Sequence, residues 1–336
     1  MPGQLRILRA GPGATIQDGG RMHFRRYGIT PAGPMDWAAF RTANLAAGND
    51  PERAAGIEIG PGVLEIASEA DAPLGVAFCG GGFSWRRGEQ EFGPAARLVL
   101  RPGERLQARP AAGAFAYLAV AGGLATPLEL GSRATQTRAH MGGIEGRMLR
   151  DGDGLALLAP RAAFAEARIA APWLAPNSAP LRVVLGPQDD YFGAAALATF
   201  FTAEFRVTAA ADRMAYRLEG PEIAHSRGYN IVSDGVALGA IQISGDKKPL
   251  VLMADHPPTG GYPKLGHIAR ADIGRLAQMR RGETCRFLRV SPEEARIALL
   301  RFEEEIAMTA RHIFPFAARG DGPRPPNEGG GGWLER

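Results

Sequence analysis

Cysteine is scarce in this sequence of 336 residues, and its scarcity excludes several classes of protein. The only two cysteines, Cys79 and Cys285, stand in the apolar runs "VAFCGG" and "TCRFLRV". This placement predicts buried free thiols rather than a disulfide framework or a paired-cysteine metal centre. The N-terminal "MPGQLRILRAGPG" lacks the apolar core of a secretory signal, and no apolar run approaches the roughly 18 residues of a membrane span. We therefore expect a soluble, cytoplasmic protein without a membrane partner.

Clusters of positive charge are also missing, although the formal net charge is +4. Arginine far outnumbers lysine, but the arginines are scattered along the chain. A nucleic-acid surface needs basic residues gathered on one element with aromatic residues between them. Nucleic acid is therefore not expected as a partner, and the arginine content is typical of a genome composition rich in Arg and Ala.

Compact catalytic motifs are absent as well. The sequence has no G-x-x-x-x-G-K-[ST] phosphate loop, no H-E-x-x-H zinc motif and no G-x-S-x-G nucleophile elbow. His256 and His267 are too far apart in sequence for local metal spacing, so no metal site is predicted. No catalytic residue is assigned from the sequence, and the chemistry must come from dispersed residues or belong to a complex.

Glycine and proline, by contrast, are abundant, with 45 and 26 residues. Short apolar runs of period two lie between them, for example "GVLEIA", "FAYLAVAG", "AIQIS" and "PLVLMAD", and these predict short strands joined by tight turns. The length favours two domains. The turn "RPGERLQA" in the first half resembles "RRGETCRF" in the second. We therefore predict a mainly β protein with two related β-barrel modules and a few peripheral helices.

The predicted boundaries follow from composition. Residues 1–167 form the first module, the Pro-rich "RIAAPWLAPNSAP" at 168–180 is the linker, and residues 181–290 form the second module. A C-terminal helix is predicted at 291–318, since Ser291 and Glu294 form a capping box. The remaining "RGDGPRPPNEGGGGWLER" at 319–336 is predicted to be a disordered tail.

Three more helices are predicted between the strands. The first lies in "PMDWAAFRTANLAAGND", where Asp36 precedes the first turn and Gly48 marks the end. The others lie in "DDYFGAAALATFF" and "ADIGRLAQMRRG". These helices are too few to build a core of their own, so we expect them at the periphery of the barrels.

Two polar loops of the first half are candidate binding loops. The segment "QDGGRMHFRRYGITPAGPMD" at 17–36 carries Asp18 and Arg21, and "GSRATQTRAHMGGIEGRML" at 131–149 carries Arg133 and Arg147. Arginine offers a planar fork of donors that fits a carboxylate. The alternative is that these residues only hold turns or face solvent.

Two segments of the second half are candidates of the same kind. In "DRMAYRLEG" at 212–220, Arg213 and Arg217 flank Tyr216 and face one way if the segment is a strand. They could then hold a carboxylate, or simply form a charge pair on an edge strand. The loop "PTGGYPK" lets its backbone approach a ligand closely, and its candidate residues are Thr259, Gly260, Gly261, Tyr262 and Lys264. A structural corner between strands is the alternative here.

Taken together, the motifs resemble a known family. "QDGGRMHFRRYGITPAGPMD", "ANLAAGN", "SRATQTRAHMGGIEGRMLRDGD", "DRMAYRLEGP", "GAIQIS" and "PTGGYPK" occur in the order typical of the allophanate hydrolase subunit 2 family, also called the biotin-dependent carboxyltransferase family. The resemblance covers about residues 5–290. It implies tandem cyclophilin-like β-barrels, and its motif "GAIQIS" adds Gln242 to the candidate substrate-binding residues.

Stand-alone bacterial members of this family resemble the C subunit of 5-oxoprolinase, the KipA type. The resemblance implies ATP-dependent opening of 5-oxo-L-proline to L-glutamate by a complex with the 5-oxoprolinase A subunit and a KipI-like B subunit. It implies ATP as the cofactor of that complex. Because no complete nucleophile–base set or nucleotide loop is visible in the sequence, we expect little activity of this chain alone. Two alternatives stay open: a biotin-dependent carboxyltransferase that acts on urea or a related amide, and a regulatory binding protein of the KipA type.

Departures from the family pattern leave the substrate open. The chain reads "IQISGDKKP" where the family usually reads "IQVP.DG.P", and His256 stands where the family often has arginine. The sequence contains no Met-Lys-Met motif of a biotin carrier. A role for biotin would therefore require a carrier on another polypeptide.

Overall fold

The computed structural model of the chain describes residues 3–162 and 164–316, and within these ranges the protein is mainly β. The strands of the first half are β1 (Gln4–Ala10), β2 (Thr15–Gln17), β3 (Gly56–Ile59), β4 (Leu64–Glu69), β5 (Leu74–Cys79), β6 (Ser84–Arg87), β7 (Gln90–Phe92), β8 (Ala96–Leu100), β9 (Arg105–Arg109), β10 (Ala116–Val120), β11 (Gly154–Ala156) and β12 (Ala167–Ile169). Those that follow are β13 (Leu181–Leu185), β14 (Phe205–Ala211), β15 (Ala215–Glu219), β16 (Asp234–Gly235), β17 (Ala240–Ile243), β18 (Pro249–Leu252), β19 (Thr259–Gly260), β20 (Lys264–Ile268), β21 (Thr284–Cys285), β22 (Phe287–Arg289) and β23 (Ile313–Pro315). The helices are α1 (Trp37–Ala46), α2 (Ala194–Thr202), α3 (Ile273–Ala277) and α4 (Pro292–Ala307). The predicted fold class is confirmed.

Two sheets build the first module. One has the strand order β11-β1-β4-β9-β6-β7, and the other has the order β2-β3-β10-β5-β8-β12-β23. Their apolar faces share one buried core, to which the first sheet contributes Leu5 and Ile7 and the second contributes Val76 and Phe78. The rings of Phe78 and Trp85 stack with centroids 4.0 Å apart and join the two sheets. Burial of these apolar side chains stabilises the module.

An eight-stranded sheet builds the second module, with the order β21-β14-β15-β18-β17-β20-β13-β22, and it curls into a nearly closed barrel. Side chains alternate between its two faces. In β17, Ile241 and Ile243 enter the main core, whereas Ala240 and Gln242 lie on the opposite face. In β20, Leu265 enters the core and Lys264 does not. The alternation therefore places Gln242 and Lys264 on the same outer face.

A two-stranded ribbon lies over that outer face. It consists of β16 and β19, paired antiparallel with Asp234 opposite Gly260 and Gly235 opposite Thr259. Val236, at the end of the ribbon, packs with Ala240 of the barrel in a small apolar cluster. The ribbon thus brings a loop remote in sequence over the outer ends of β17 and β20.

The predicted helices are present, and two predicted helix starts are confirmed in detail. The Asp36 side chain accepts a hydrogen bond from the Ala39 amide at the start of α1, and Ser291 and Glu294 form the capping box of α4. The helix α4 ends at Ala307, earlier than predicted, because a 3-10 turn at Met308–His312 leads into β23. The predicted tail at 319–336 lies outside the described residues. No helix within the described ranges is long and apolar enough to cross a membrane.

The segment predicted as a linker at 168–180 is partly structured. It includes the last residues of β12 and a 3-10 turn at Pro172–Leu174, and β13 begins at Leu181. The helix α4 packs back on the first module, where the rings of Trp37 and Phe302 meet edge to face at 5.6 Å. One core cluster contains Phe40 of the first half and Val183 of the second. The two halves therefore meet through an extensive packed contact.

Candidate functional site

The buried charges between the two modules centre on Arg213. This residue lies in the turn before β15, and its Nε and Nη2 donate to the two carboxylate oxygens of Asp255 at 2.9 and 2.8 Å. Its Nη1 donates to Glu58 of β3, and its Nη2 also donates to the Gly33 carbonyl at 2.7 Å. Because Glu58 and Gly33 belong to the first module and Asp255 to the second, Arg213 fastens the modules together.

The partners of Glu58 complete this cluster. Its Oε2 accepts hydrogen bonds from the Tyr117 hydroxyl and the Met35 amide, each at 2.8 Å. Burial raises the pKa of Glu58, and the nearby Arg213 guanidinium opposes that rise. Burial lowers the pKa of Arg213, but Asp255 and Glu58 outweigh this and raise it above the ordinary value. The guanidinium therefore stays charged and stays paired.

The predicted partnership of Arg213 with Arg217 does not form. The strand β15 begins at Ala215, so the alternation of a strand does not extend back to residue 213. Arg217 lies on the exposed face and pairs with Asp246. Tyr216 is buried, and its hydroxyl donates to the Ala277 carbonyl at 2.9 Å. Among the described residues, no hydrogen bond joins Arg213, Tyr216 or Arg217 to the loop "PTGGYPK", and all three have partners elsewhere in the protein.

A second polar group lies beneath the ribbon of β16 and β19. Lys264 is only 2% exposed, and its Nζ donates to Asp234 Oδ2 at 2.7 Å. The Asp234 side chain itself is 54% exposed, and Lys264 lowers its pKa. Gln188 supports both groups, since its Oε1 accepts from the Lys264 amide at 3.2 Å and its Nε2 lies 3.5 Å from Asp234 Oδ2. We call Lys264, Asp234, Gln188 and Gln242 the ribbon site.

Gln242 is the direct neighbour of Lys264 across the β17–β20 pair. Its side chain is buried, and its Nε2 makes a long hydrogen bond of 3.4 Å to the Tyr262 carbonyl. A Cβ at Gly260 would lie 2.5 Å from that Nε2, so a side chain at this position would require Gln242 or the ribbon to move. Gly261 accepts from the Ile231 amide at 2.9 Å and ties the adjacent loop to the turn.

The ribbon site and the ribbon and turn above it thus bring together several residues that the sequence predicts as candidates: Gln242, Thr259, Gly260, Gly261, Tyr262 and Lys264. Asp234 and Gln188 were not among the predicted residues. Asp234 reaches Lys264 across a separation of 30 positions, and Gln188 reaches Lys264 across 76. No local pattern in the sequence signals either contact.

The polar loops of the first module are tied to each other. Asp18 accepts from the Ser132 hydroxyl at 2.6 Å and from the Arg133 amide at 2.5 Å. Arg21 is fully buried and donates to the carbonyls of Glu129 and Ala134. These contacts make Asp18 and Arg21 internal braces of the two loops.

The two other candidate arginines of these loops also have internal acceptors. Arg133 Nε donates to the Thr126 carbonyl at 2.8 Å. Arg147 pairs with both oxygens of Asp153, at 2.8 and 2.9 Å, near the start of β11. The contacts of all four loop residues are therefore those expected if these residues only hold the loops in place. None of the four lies in the ribbon site.

A further contact between the modules adjoins the ribbon. His256 Nδ1 lies 2.7 Å from the Pro257 carbonyl, so Nδ1 carries the proton and Nε2 accepts from Arg25 Nη2 at 3.2 Å. Arg25 Nη1 also donates to the Val236 carbonyl at 3.4 Å. Burial lowers the pKa of His256, which keeps the ring neutral. This contact connects the Arg25 loop to the segment that follows Asp234.

The fold of facing sheets followed by a nearly closed barrel sheet is that of a carboxyltransferase domain. The structure matches K. lactis urea amidolyase with a TM-score of 0.84 and 27% identity, over 94% of this chain and 21% of that chain. The family model described as "Carboxyltransferase domain, subdomain A and B" matches residues 27–289, and the chain belongs to this family. The predicted family is thereby confirmed.

Two shorter relatives match nearly from end to end. The chain is 37% identical over 292 residues to the 5-oxoprolinase C subunit of Escherichia coli, covering 87% of this chain and 93% of that protein. It is 35% identical over 307 residues to the 5-oxoprolinase C subunit of Haemophilus influenzae, covering 89% and 95%. The chain therefore spans almost the whole length of these subunits but only about a fifth of the urea amidolyase.

Proposed function

We propose that this chain is a subunit of an ATP-dependent 5-oxoprolinase complex that opens 5-oxo-L-proline to L-glutamate. The observation that carries the proposal is the match to two 5-oxoprolinase C subunits over 93% and 95% of their lengths. A buried lysine beside a buried carboxamide, in the ribbon site, suits a small anionic amide. The geometry therefore agrees with a substrate that carries both a carboxylate and a lactam.

The proposed reaction breaks the lactam C–N bond. In net terms, one water supplies the oxygen of the new carboxylate and the two protons that turn the lactam N–H into the ammonium group of glutamate, and a second water hydrolyses ATP to ADP and phosphate. An amide carbonyl is a poor electrophile, so coupling to ATP supplies the driving force. We place the complex in the cytoplasm, because the reaction consumes ATP.

The nucleophilic groups of this chain explain why partner subunits are part of the proposal. Burial raises the pKa of the Cys285 thiol to about 12 and raises that of Cys79 as well, so neither is a thiolate at neutral pH. The carboxylates of Glu58 and Asp255 are held by Arg213. We propose that this chain contributes substrate binding, and that the A subunit and the KipI-like B subunit contribute ATP binding and the remaining chemistry.

A specific observation also favours a second candidate function. The structural match to K. lactis urea amidolyase extends over 94% of this chain. Under this alternative, the chain is the carboxyltransferase component of a biotin-dependent enzyme acting on urea or a related amide. The biotin carrier would then reside on another polypeptide.

Reconstitution tests the two proposals against each other. The chain is combined with candidate A and B subunits and ATP, and glutamate formed from 5-oxo-L-proline is measured, with each component omitted in turn as a control. The competing assay supplies urea, bicarbonate and a biotinylated carrier. We expect glutamate only from the full set of subunits. Avidin-sensitive turnover of urea without glutamate formation would establish the second function instead.

A further inference from the structure

The Lys264 ammonium is a buried cation with spare hydrogen-bonding capacity. It carries three N–H donors. Among residues 3–162 and 164–316, the one acceptor within hydrogen-bond distance of its Nζ is Asp234. Burying an ammonium is costly unless it is paired, and here the pairing depends on one carboxylate from an exposed ribbon. The remaining donors have no acceptor within the described part of the chain.

The neighbouring Gln242 is also incompletely engaged. Its Nε2 makes one long hydrogen bond of 3.4 Å, and its Oε1 accepts no hydrogen bond from the described residues. Since cross-strand neighbours on one face have Cβ atoms about 4.5–5.5 Å apart, the carboxamide of Gln242 and the stem of Lys264 lie side by side. The Gln242 side chain thus offers an oxygen with no protein donor beside a buried cation, and a ligand can complete this pair of groups.

We propose that Lys264 and Gln242 bind a small lactam carboxylate, and that Asp234 occupies the position that the ligand carboxylate takes. The choice of 5-oxo-L-proline as the ligand rests on the proposed function. Its five-membered ring holds the amide cis, so the N–H and the C=O lie on one edge. The carboxamide of Gln242 presents an acceptor and a donor in the complementary arrangement, and Lys264 pairs with the carboxylate.

This arrangement distinguishes 5-oxo-L-proline from urea. Urea also presents an N–H and a C=O on one edge, so Gln242 alone does not separate the two molecules. Urea has no carboxylate to displace Asp234 from Lys264. The buried ammonium is therefore the specificity-determining group, and Asp234 is the counterion that neutralises it while the site is empty.

The ribbon that carries Asp234 is held by few backbone hydrogen bonds. It contains two residue pairs, and isolated two-stranded ribbons are marginally stable. Two further backbone hydrogen bonds hold it, from the Ile231 amide to Gly261 and from the Val236 amide to Pro258. Val232, in the loop that leads into the ribbon, is 92% exposed. Displacing the Asp234 side chain into solvent breaks its contacts with Lys264 and Gln188, while Arg25 and the apolar packing of Val236 still hold the end of the ribbon.

Calorimetric titration of the full-length chain tests this assignment. The titrants are 5-oxo-L-proline and 2-pyrrolidinone, the same lactam without a carboxylate. In Asp234→Asn the competing charge is gone, so we expect the dissociation constant for 5-oxo-L-proline to fall about fivefold, as for loss of one exposed ion pair. Binding of 2-pyrrolidinone should not change. The matched control is Asp246→Asn, which removes the exposed carboxylate that pairs with Arg217.

Two more variants complete the experiment. Lys264→Met should weaken 5-oxo-L-proline at least about tenfold by removing a charge-assisted hydrogen bond, and should spare 2-pyrrolidinone. Gln242→Leu should weaken both ligands. Unchanged or weaker binding of 5-oxo-L-proline by Asp234→Asn overturns the assignment, because Asp234 would then only brace Lys264. The binding result for Asp234→Asn does not depend on Lys264→Met, so the proposal can be tested even if Lys264→Met fails to fold.

The binding assay needs neither ATP nor partner subunits, so its failure is distinct from failure of the proposed function. If the reconstituted complex forms glutamate while Asp234→Asn binds as the parent does, the site assignment is wrong and the function stands. If the variants shift binding as expected while no complex forms glutamate, the site stands and the function is wrong.

Discussion

Arg213 and Lys264 are both cations of the second module with little exposure to solvent, at 15% and 2% of their side chains, but their surroundings differ. Arg213 donates to two buried carboxylates and to a backbone carbonyl, and its partners come from both modules. Lys264 donates to one carboxylate that stands on an exposed ribbon. The guanidinium is thus enclosed by fixed acceptors, whereas the ammonium depends on an acceptor that water can reach.

These surroundings separate a structural charge from a binding charge. A guanidinium whose fork is filled by protein acceptors has little left for a ligand. A buried ammonium with one exposed carboxylate partner can replace that partner with the carboxylate of a ligand. The replacement costs little free energy, because the ammonium stays paired. Lys264 is, moreover, the one lysine outside the adjacent pair Lys247 and Lys248 in a sequence where arginine serves nearly every other cationic role. Substitutions at the two cations should therefore have unequal effects on stability.

Removing the guanidinium of Arg213 should destabilise the protein most. Arg213→Met leaves Glu58 and Asp255 buried without their cation, so we expect the free energy of unfolding to fall by about 3–5 kcal/mol. Denaturant unfolding followed by circular dichroism measures it. The control is Arg217→Met, whose exposed ion pair is worth at most about 1 kcal/mol. If both variants lose the same small amount, Arg213 is not a brace between the modules.

Local signals in the sequence predicted the helix starts, whereas the different roles of Arg213 and Arg217 could not be predicted. The capping residues Asp36, Ser291 and Glu294 are local signals, and the structure uses them as expected. The placement of Arg213 depended on where β15 begins, and strand ends are the least certain part of a pattern. Because β15 begins at Ala215, Arg213 lies in a turn and reaches Glu58 across 155 positions.

The ribbon site was predicted in part for the same reason. The glycines and the lysine of "PTGGYPK" stand out in the sequence, and they do lie together. Their essential partner Asp234 comes from a loop with no strand periodicity, and it meets Lys264 only because β16 pairs with β19. Long-range pairings of this kind are set by the packing of the whole barrel rather than by neighbouring residues.

A methyl group beneath the ribbon should have the next largest effect. In Gly260→Ala the new Cβ would lie 2.5 Å from Gln242 Nε2, so Gln242 or the ribbon must move. We expect a loss of about 1–3 kcal/mol in unfolding free energy, as for an extra methyl group forced against a close neighbour. Gly235→Ala is the control on the opposite strand, since its Cβ meets nothing within 4 Å. Equal behaviour of the two variants would mean that Gln242 is not confined.

The stability should also depend on pH through His256. Burial lowers the pKa of this ring, so below about pH 6.5 the unfolded chain binds a proton that the native chain does not. Stability then falls as the pH falls from about 6.5 toward the lowered pKa, by at most about 1.4 kcal/mol per pH unit. His256→Gln, which keeps an acceptor for Arg25, should flatten this slope. An identical slope in both proteins would exclude His256 as its source.

Removing the ammonium of Lys264 should change stability least. In Lys264→Met the methionine stem fills a similar space, and the abandoned Asp234 is already exposed to water. We expect the free energy of unfolding to stay within about 1 kcal/mol of the parent, because the cost of burying the ammonium is removed along with its ion pair. A loss as large as that of Arg213→Met would make Lys264 a structural charge like Arg213.

The claim that Lys264 is a ligand-binding charge, whereas Arg213 is a structural one, is tested most directly by the stabilisation of the chain by 5-oxo-L-proline. At a ligand concentration tenfold above the parent dissociation constant, the ligand should raise the unfolding free energy of the parent by about 1.4 kcal/mol. For Lys264→Met, with affinity about tenfold weaker, the rise should be about 0.4 kcal/mol. Equal stabilisation of parent and variant by 5-oxo-L-proline would contradict the account, because Lys264 would then not hold the ligand carboxylate.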